Sequence, residues 1–196
     1  MKLPESFYEQ KNVVKIAREL LGKGLFTKVD NIVTGGIIVE TEAYSWKEKG
    51  CHAFGGKMTG RNEIMFGKGG YAYVYLCYGM HNLFNVVTNT VGTADAVLVR
   101  ALEPSVGIDE MKLRRGKLKN PYHLTSGPGK LTKALAINKT FNGKYLLNTD
   151  VWIEDLGSIV KNKDIIASKR IGIDYAGEDA ALPWRFTIKD NKWISK

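Results

Sequence analysis

Residues 32–44 read IVTGGIIVETEAY, and this stretch decides the fold class. β-Branched and small apolar residues over such a length predict a long β-strand. The run Leu25–Val29 predicts a partner strand, because Asp30 and Asn31, which separate the two runs, are typical of a tight turn. The sequence therefore predicts a β-hairpin over residues 25–44.

Further runs rich in Val, Ile, Tyr and Leu predict strands at Tyr71–Tyr78, Asn85–Asn89, Ala96–Leu102, Val151–Glu154, Ile171–Asp174 and Trp184–Lys189. Helices are predicted over Phe7–Leu21, after Pro104 from near Ser105, and over Leu131–Ile137. Short strands with little helix between them favour an antiparallel sheet. We expect a single domain over residues 1–196, of the α+β class, with a curved, mostly antiparallel sheet and peripheral helices.

The composition is that of a globular protein with a basic surface. Of the 196 residues, 44% are hydrophobic and 25% charged, and no apolar run is long enough to span a membrane. The chain starts without a signal or transit pattern, and its two cysteines do not suggest a disulfide framework, so we expect a cytoplasmic protein with no membrane partner. Lys and Arg number 29 against 20 Asp and Glu, and the net charge of +9 favours nucleic acid as a partner.

Two carboxylates lie on one face of the predicted strand. Alternation places Ile38, Glu40, Glu42 and Tyr44 together, with small and apolar residues on the other face. Paired carboxylates suit the acid–base cleavage of a glycosidic bond. An exposed strand face with solvated glutamates is the alternative.

Tyrosines dominate the next strand. Tyr71, Tyr73 and Tyr75 share one face, which fits either cross-strand packing or the stacking of a flat ring. Tyr78 precedes Gly79, where the strand can turn, so its ring is predicted to project from the surface. A projecting ring is what insertion into a duplex requires.

Other polar residues leave more than one interpretation. His52 has no partner at a metal-ligand spacing, so we expect neither a metal nor a cofactor. Arg100 is either a charge that reaches the surface or a cation placed near a carboxylate. The basic segment Lys112–Lys119 is either a solvated helix end and loop or a contact to DNA.

The sequence resembles the alkyladenine (3-methyladenine) DNA glycosylase family over nearly its whole length. The resembling segments, in order, are residues 17–22 (ARELLG), 38–44 (IVETEAY), 60–62 (GRN) with 65–66 (MF), 73–75 (YVY) with 78–80 (YGM), 98–104 (LVRALEP), 126–131 (SGPGKL), 134–138 (ALAIN), 170–173 (RIGI) and 175–178 (YAGE).

This resemblance implies an enzyme that flips alkylated or deaminated purines (3-methyladenine, 7-methylguanine, hypoxanthine) out of double-stranded DNA and hydrolyses the N-glycosidic bond. It implies that Glu42 activates the attacking water, and that Arg100 and the backbone carbonyl of Ile171 hold that water. It also implies a nucleoid-associated monomer that is monofunctional, with water and not a lysine amine as nucleophile.

The remaining roles that the resemblance implies concern the nucleotide. Tyr44, His52 and Tyr75 stack on and hydrogen-bond the flipped base, and Asn85 discriminates against the guanine amino group. Tyr78 fills the gap in the duplex, and Met65 flanks the kinked site, although a core methionine is an equal interpretation. The rival functions are a non-catalytic basic module that binds nucleic acid and a carbohydrate-active glycosidase that uses Glu40 and Glu42.

Overall fold

The computed structural model describes residues 1–195, which form one eight-stranded antiparallel sheet with helices around it. The predicted α+β class is therefore confirmed. The strands are β1 (Gly24–Val29), β2 (Ile32–Tyr44), β3 (Ala72–Cys77), β4 (His81–Thr88), β5 (Asp95–Val106), β6 (Val151–Glu154), β7 (Ile165–Ser168) and β8 (Arg185–Ile188). The order along the sheet is β3-β4-β5-β2-β1-β6, and β8 pairs with both β2 and β7.

Strand β2 organises this sheet. The predicted hairpin is present, with Asp30 and Asn31 at φ values of 50° and 63°, as a two-residue turn between right-twisted strands requires. One edge of β2 pairs with β5, while the other pairs first with β1 and then, at residues 40–42, with β8. The register of β2 against β5 shifts on either side of Glu40, and such bulges bend a strand.

The helices are short and differ from the prediction. They are α1 (Glu5–Tyr8), α2 (Val13–Glu19), α3 (Ile108–Arg115) and α4 (Pro128–Ala134). The single helix predicted over Phe7–Leu21 was wrong, because the chain breaks before Asn12, whose side chain caps α2 by accepting from the Lys15 amide. The helix after Pro104 begins only at Ile108, since β5 continues to Val106.

The C-terminal third also departs from the prediction. Residues 171–174 are not a strand, because Gly172 has a φ of 76° and the chain turns there. Strand β7 was not predicted, and it pairs with β8.

Two hydrophobic clusters hold the fold together. The larger one lies between the sheet and the helices, with α2 packed on β2 and α4 packed on β4. The smaller one contains Cys51, Ala53, Met65, Tyr73, Val87, Ala94 and Ala96, with Tyr44 and Tyr75 packed against it. This second cluster supports the aromatic residues of the site below. No helix within residues 1–195 is long and apolar enough to cross a membrane.

Candidate active site

A cavity of about 810 Å³ opens beside the strands β3, β4 and β5. Residues from distant parts of the chain line it: Tyr44 from β2, His52 and Arg61 from the loop after β2, Tyr75 and Tyr78 from β3 and its turn, Asn85 from β4, Arg100 from β5, and Ile171 and Tyr175 from the segment after β7. The structure thus brings together almost all of the residues that the sequence predicted for the site.

Glu42 lies behind the wall of this cavity and is fully buried, at 0% exposure. Its Oε1 accepts a hydrogen bond from the Ile171 backbone amide at 2.8 Å, and its Oε2 accepts one from the Tyr44 hydroxyl at 2.8 Å. Arg100 Nη1 lies 3.3 Å from the same Oε2. Because an ionised carboxylate has about four acceptor positions, these three contacts leave one position, on Oε1, for a further donor.

Glu40 is bound more completely. Its Oε1 accepts from Arg100 Nε at 2.9 Å, Arg185 Nε at 2.7 Å and Ser195 Oγ at 2.7 Å, and its Oε2 accepts from the Ser195 amide at 2.6 Å. Burial acts to raise the pKa of Glu40, but Arg100, the two Ser195 hydrogen bonds and Arg185 outweigh it and hold this pKa below its usual value. Glu40 is therefore an anion that neutralises two guanidinium groups, with little capacity left for a substrate.

Arg100 joins the two carboxylates. Burial acts to lower its pKa, but the charges of Glu42 and Glu40 raise it above its usual value. Of the two interpretations of this residue, the structure selects the cation held between carboxylates, because Arg100 is only 6% exposed.

His52, Tyr73 and Tyr75 form an aromatic corner of the cavity. The His52 and Tyr75 rings meet edge to face at 4.6 Å between centroids, and Arg61 lies 4.9 Å from the Tyr75 ring centroid. His52 Nδ1 lies 2.9 Å from the Tyr73 hydroxyl. This contact fixes the orientation of the imidazole ring, and the tautomer of the ring decides which of the two atoms donates.

The surroundings of His52 keep its imidazole neutral. The ring opens onto the cavity, but its contact with the tyrosine rings limits its hydration. Desolvation, and then the nearby charge of Arg61, lower the pKa of His52 to about 4. At neutral pH this side chain is therefore a neutral imidazole and not a cation.

Asn85 is buried on β4, and its amide nitrogen is already engaged. Nδ2 donates to the carbonyls of Tyr73 at 3.1 Å and Leu83 at 3.4 Å. These bonds fix the orientation of the amide group, so that its carbonyl oxygen is the atom left for other partners.

Tyr78 and Met65, the two residues predicted to contact the duplex, have opposite environments. Tyr78 lies in the β3–β4 turn with a φ of 50° and is 84% exposed, as the sequence predicted for a projecting ring. Met65 is 2% exposed and belongs to the smaller hydrophobic cluster. Its burial favours the core interpretation, although it also contributes to the lining of the cavity.

Ile171 reaches the site through its backbone. The resemblance implied a role for its carbonyl, whereas the contact in the structure is made by its amide, which donates to Glu42. Its side chain is 42% exposed at the mouth of the cavity.

Four residues that complete the site are not among the site residues predicted from the sequence. Ser195 binds Glu40, Tyr73 orients His52, and the pair Arg170–Glu48 packs beside Tyr44. Ser195 and Arg170 are 155 and 127 positions from their strand β2 partners, so no local spacing indicates these contacts.

The basic segment Lys112–Lys119 is partly internal. Arg114 binds Glu110, the Thr34 hydroxyl and the Ala134 carbonyl, and Arg115 donates to the carbonyls of Leu124 and His123. These two arginines hold α3 against its neighbours, which favours the interpretation of this segment as a helix end.

The fold and the cavity together define the class of protein: a glycosylase, with aromatic walls for a flat ring and a buried carboxylate behind them. A family model described as methylpurine-DNA glycosylase matches residues 6–192. The chain belongs to this family, and it is a DNA glycosylase, a hydrolase of N-glycosyl bonds whose substrate is DNA.

Similar proteins cover the whole chain. A relative from Carboxydothermus hydrogenoformans is 48% identical over 196 residues, one from Bacillus cytotoxicus 45% over 205 residues, and one from Bacillus cereus 46% over 205 residues; each alignment covers 100% of both chains. All three relatives are provisionally named 3-methyladenine DNA glycosylase.

Proposed function

We propose that this protein excises 3-methyladenine, and with it 7-methylguanine and hypoxanthine, from double-stranded DNA by a water that Glu42 activates. The observation behind this proposal is the single acceptor position left on Glu42 Oε1 beside an aromatic cavity. The methylpurine-DNA glycosylase family and the 3-methyladenine named for its relatives support methylated purines as the substrate class.

The first step is rotation of the damaged nucleotide out of the duplex, because the bond is inaccessible inside the stack. Unstacking costs roughly a few kcal/mol. Tyr78, exposed at the tip of its turn, fills the gap and offsets part of this cost. The base then lies between the rings of Tyr44 and Tyr75, with the neutral His52 imidazole at its edge. The Asn85 oxygen faces the substituents of the base and discriminates between them.

Hydrolysis then requires a water on Glu42. Tyr44, Arg100 and Ile171 cover the carboxylate, so the water enters when this wall yields locally. The Ile171–Gly172 pair is the solvent-exposed part of this wall. Glu42 accepts the proton of the water while its charge stabilises the oxocarbenium-like sugar.

Cationic purines suit this cavity best. An alkylated ring with a positive charge is attracted to the faces of Tyr44 and Tyr75, and it leaves without needing a proton. A neutral base such as hypoxanthine needs a proton donor, but His52 is neutral, and burial raises the pKa of Tyr73 to about 12. We therefore expect hypoxanthine to be released more slowly than 7-methylguanine.

The rival functions fit the contacts less well. A polysaccharide glycosidase needs two carboxylates free to act, and Glu40 is occupied by Arg100, Arg185 and Ser195. A purely binding module gives no reason for a buried Glu42 behind the cavity.

The test is the release of free base from a duplex that contains one 7-methylguanine. We expect Glu42→Gln to lower the single-turnover excision rate about 10²–10⁴-fold, as loss of a general base does. Binding of the lesion duplex should persist in that variant. Glu103→Gln, on β5 outside the cavity lining, is the matched control and should excise normally. Binding without release by the unaltered protein would leave the non-catalytic module as the function.

A further inference from the structure

Arg170 is a buried arginine directly before the Ile171 amide that binds Glu42. Its Nη1 and Nη2 donate to Glu48 Oε1 and Oε2 at 2.7 and 2.8 Å, a bidentate pair with no exposed surface on the arginine side chain. Nη1 also donates to the Ala43 carbonyl at 2.9 Å and Nη2 to the Asp179 carbonyl at 3.1 Å. The guanidinium thus connects the segment after β7 to β2, one residue beyond Glu42.

The same guanidinium packs against aromatic rings. Its central carbon lies 4.8 Å from the Tyr44 ring centroid and 5.3 Å from that of Trp184. Cation–π contact of this kind fixes the plane of the Tyr44 ring, whose hydroxyl donates to Glu42. Arg170 therefore contacts the ring of Tyr44, whose hydroxyl donates to Glu42, and directly precedes Ile171, whose backbone amide also donates to Glu42.

The chain after Arg170 is anchored on both sides of a short exposed piece. Arg170 and Ile173 are each 5% exposed, whereas Ile171 is 42% exposed. Gly172 between them has a positive φ and open space where a Cβ atom would lie. We call Ile171–Gly172 the flap, because it is an exposed pair between two buried residues and Ile171 contacts Glu42 through its amide.

We propose that Arg170 is a positioning residue for excision, because it sets where the flap places the Ile171 amide and where Tyr44 places its hydroxyl on Glu42. This inference rests on the proposed role of Glu42 as the base. It predicts that weakening the Arg170–Glu48 pair misorients the carboxylate and the water without altering the surface that meets DNA.

The stability of the fold alone does not explain the buried ion pair between Arg170 and Glu48. A buried ion pair gains little net free energy over well-packed apolar side chains, because both ions lose their hydration. The position of the reacting groups matters more for the rate, because a shift of about 1 Å in these groups slows a reaction about 100-fold.

The experiment compares Arg170→Lys and Arg170→Gln with Arg114→Lys. Arg114 is a matched control: it also pairs with a glutamate and donates to a backbone carbonyl, but it lies outside the cavity lining. For each protein we would measure the single-turnover excision of 7-methylguanine, the Kd for a duplex with a stable abasic analogue, and the Tm.

Arg170→Gln should excise about 100-fold more slowly, and Arg170→Lys about tenfold more slowly, with an unchanged Kd for the abasic duplex. Lysine retains the charge but not the bidentate fork, so it rescues in part. Arg114→Lys should have a lower Tm than the unaltered protein, but the same excision rate per folded molecule. If Arg170→Gln fails to fold, the excision rate and Kd of Arg170→Lys alone test the proposal.

A purely structural Arg170 would overturn the proposal. In that case Arg170→Lys and Arg114→Lys would both have a lowered Tm and a normal excision rate. An equal loss in excision and in Kd would also overturn it, because the residue would then act on DNA binding. Failure of the unaltered protein to excise the base would instead refute the proposed function.

Discussion

The Tyr44 hydroxyl donates a 2.8 Å hydrogen bond to Glu42 Oε2, although the two residues are neighbours on one strand face. Burial, and then the charge of Glu42, raise the pKa of Tyr44, so its hydroxyl stays protonated as a donor. Because this hydroxyl is engaged, we expect Tyr44 to contact a base in the cavity through its ring face. In the proposed function, one side chain then both forms a wall for the base and supports the carboxylate.

Glu40→Gln should weaken the fold more than the chemistry. The substitution removes the charge that compensates two buried or half-buried guanidiniums, Arg100 and Arg185. Loss of one partner from such a group costs about 3–5 kcal/mol of unfolding free energy, which urea denaturation measures. Excision per folded molecule should fall far less than in Glu42→Gln. An equal or larger fall would identify Glu40 as the base.

Tyr78→Ala should impair base flipping while leaving the fold unchanged, because the ring is 84% exposed. Without the Tyr78 ring, no side chain fills the gap that the flipped nucleotide leaves, so a few kcal/mol of unstacking free energy is less well offset. Excision from a fully paired duplex should therefore fall about tenfold or more. Placing the lesion in an unpaired bubble should restore most of the rate. Met80→Ala, exposed on the same turn, is the control. Equal losses on paired and unpaired substrates would contradict a wedge role.

His52 should titrate far below an ordinary histidine. Its pKa is lowered to about 4 in the folded protein, against 6.5 for the unperturbed group. Above pH 6.5 the imidazole is neutral in both folded and unfolded chains and contributes nothing to the pH dependence. As the pH falls from 6.5 towards 4, the unfolded chain binds a proton that the folded one does not, so stability falls. NMR titration of the imidazole measures the pKa directly, and His52→Asn should remove this part of the acid destabilisation. Titration near 6.5 would contradict the lowered pKa.

Borohydride should trap no covalent adduct with DNA if water is the nucleophile. Among the described residues, Lys130 is the only lysine that lines the cavity, and Lys47, Lys49 and Lys57 are exposed on the loop around His52. An amine nucleophile would form an imine with the sugar and lead to strand cleavage. We expect an intact abasic strand, unchanged in Lys130→Ala. A trapped adduct that disappears in Lys130→Ala would show a lysine mechanism.

Local sequence patterns were sufficient to predict the central hairpin and the exposed Tyr78. The turn at Asp30–Asn31 and the β-branched runs around it depend on neighbouring residues alone, and the structure has them where predicted. The helix break at Asn12 was missed because the apolar spacing continues across it, and only the capping bond reveals the interruption. The strand predicted at residues 171–174 is absent because the chain turns at Gly172, which has a φ of 76°.

The charge network could not be predicted from spacing. Alternation placed Glu40 and Glu42 on one face, but it could not distinguish them. Their difference arises from partners that only the folded chain supplies: Ser195 and Arg185 on Glu40, and Ile171 on Glu42. Tertiary contacts therefore decide which carboxylate remains available.

The contact of Ser195 with Glu40 also has a consequence for biosynthesis. Glu40 and Arg100 leave the ribosome well before Ser195, and a domain generally folds as a unit. Until Ser195 is synthesised, Glu40 lacks two of its hydrogen bonds, and Arg185, another late residue, is also missing. The charge cluster at the centre of the sheet is therefore complete only after both Arg185 and Ser195 have been synthesised.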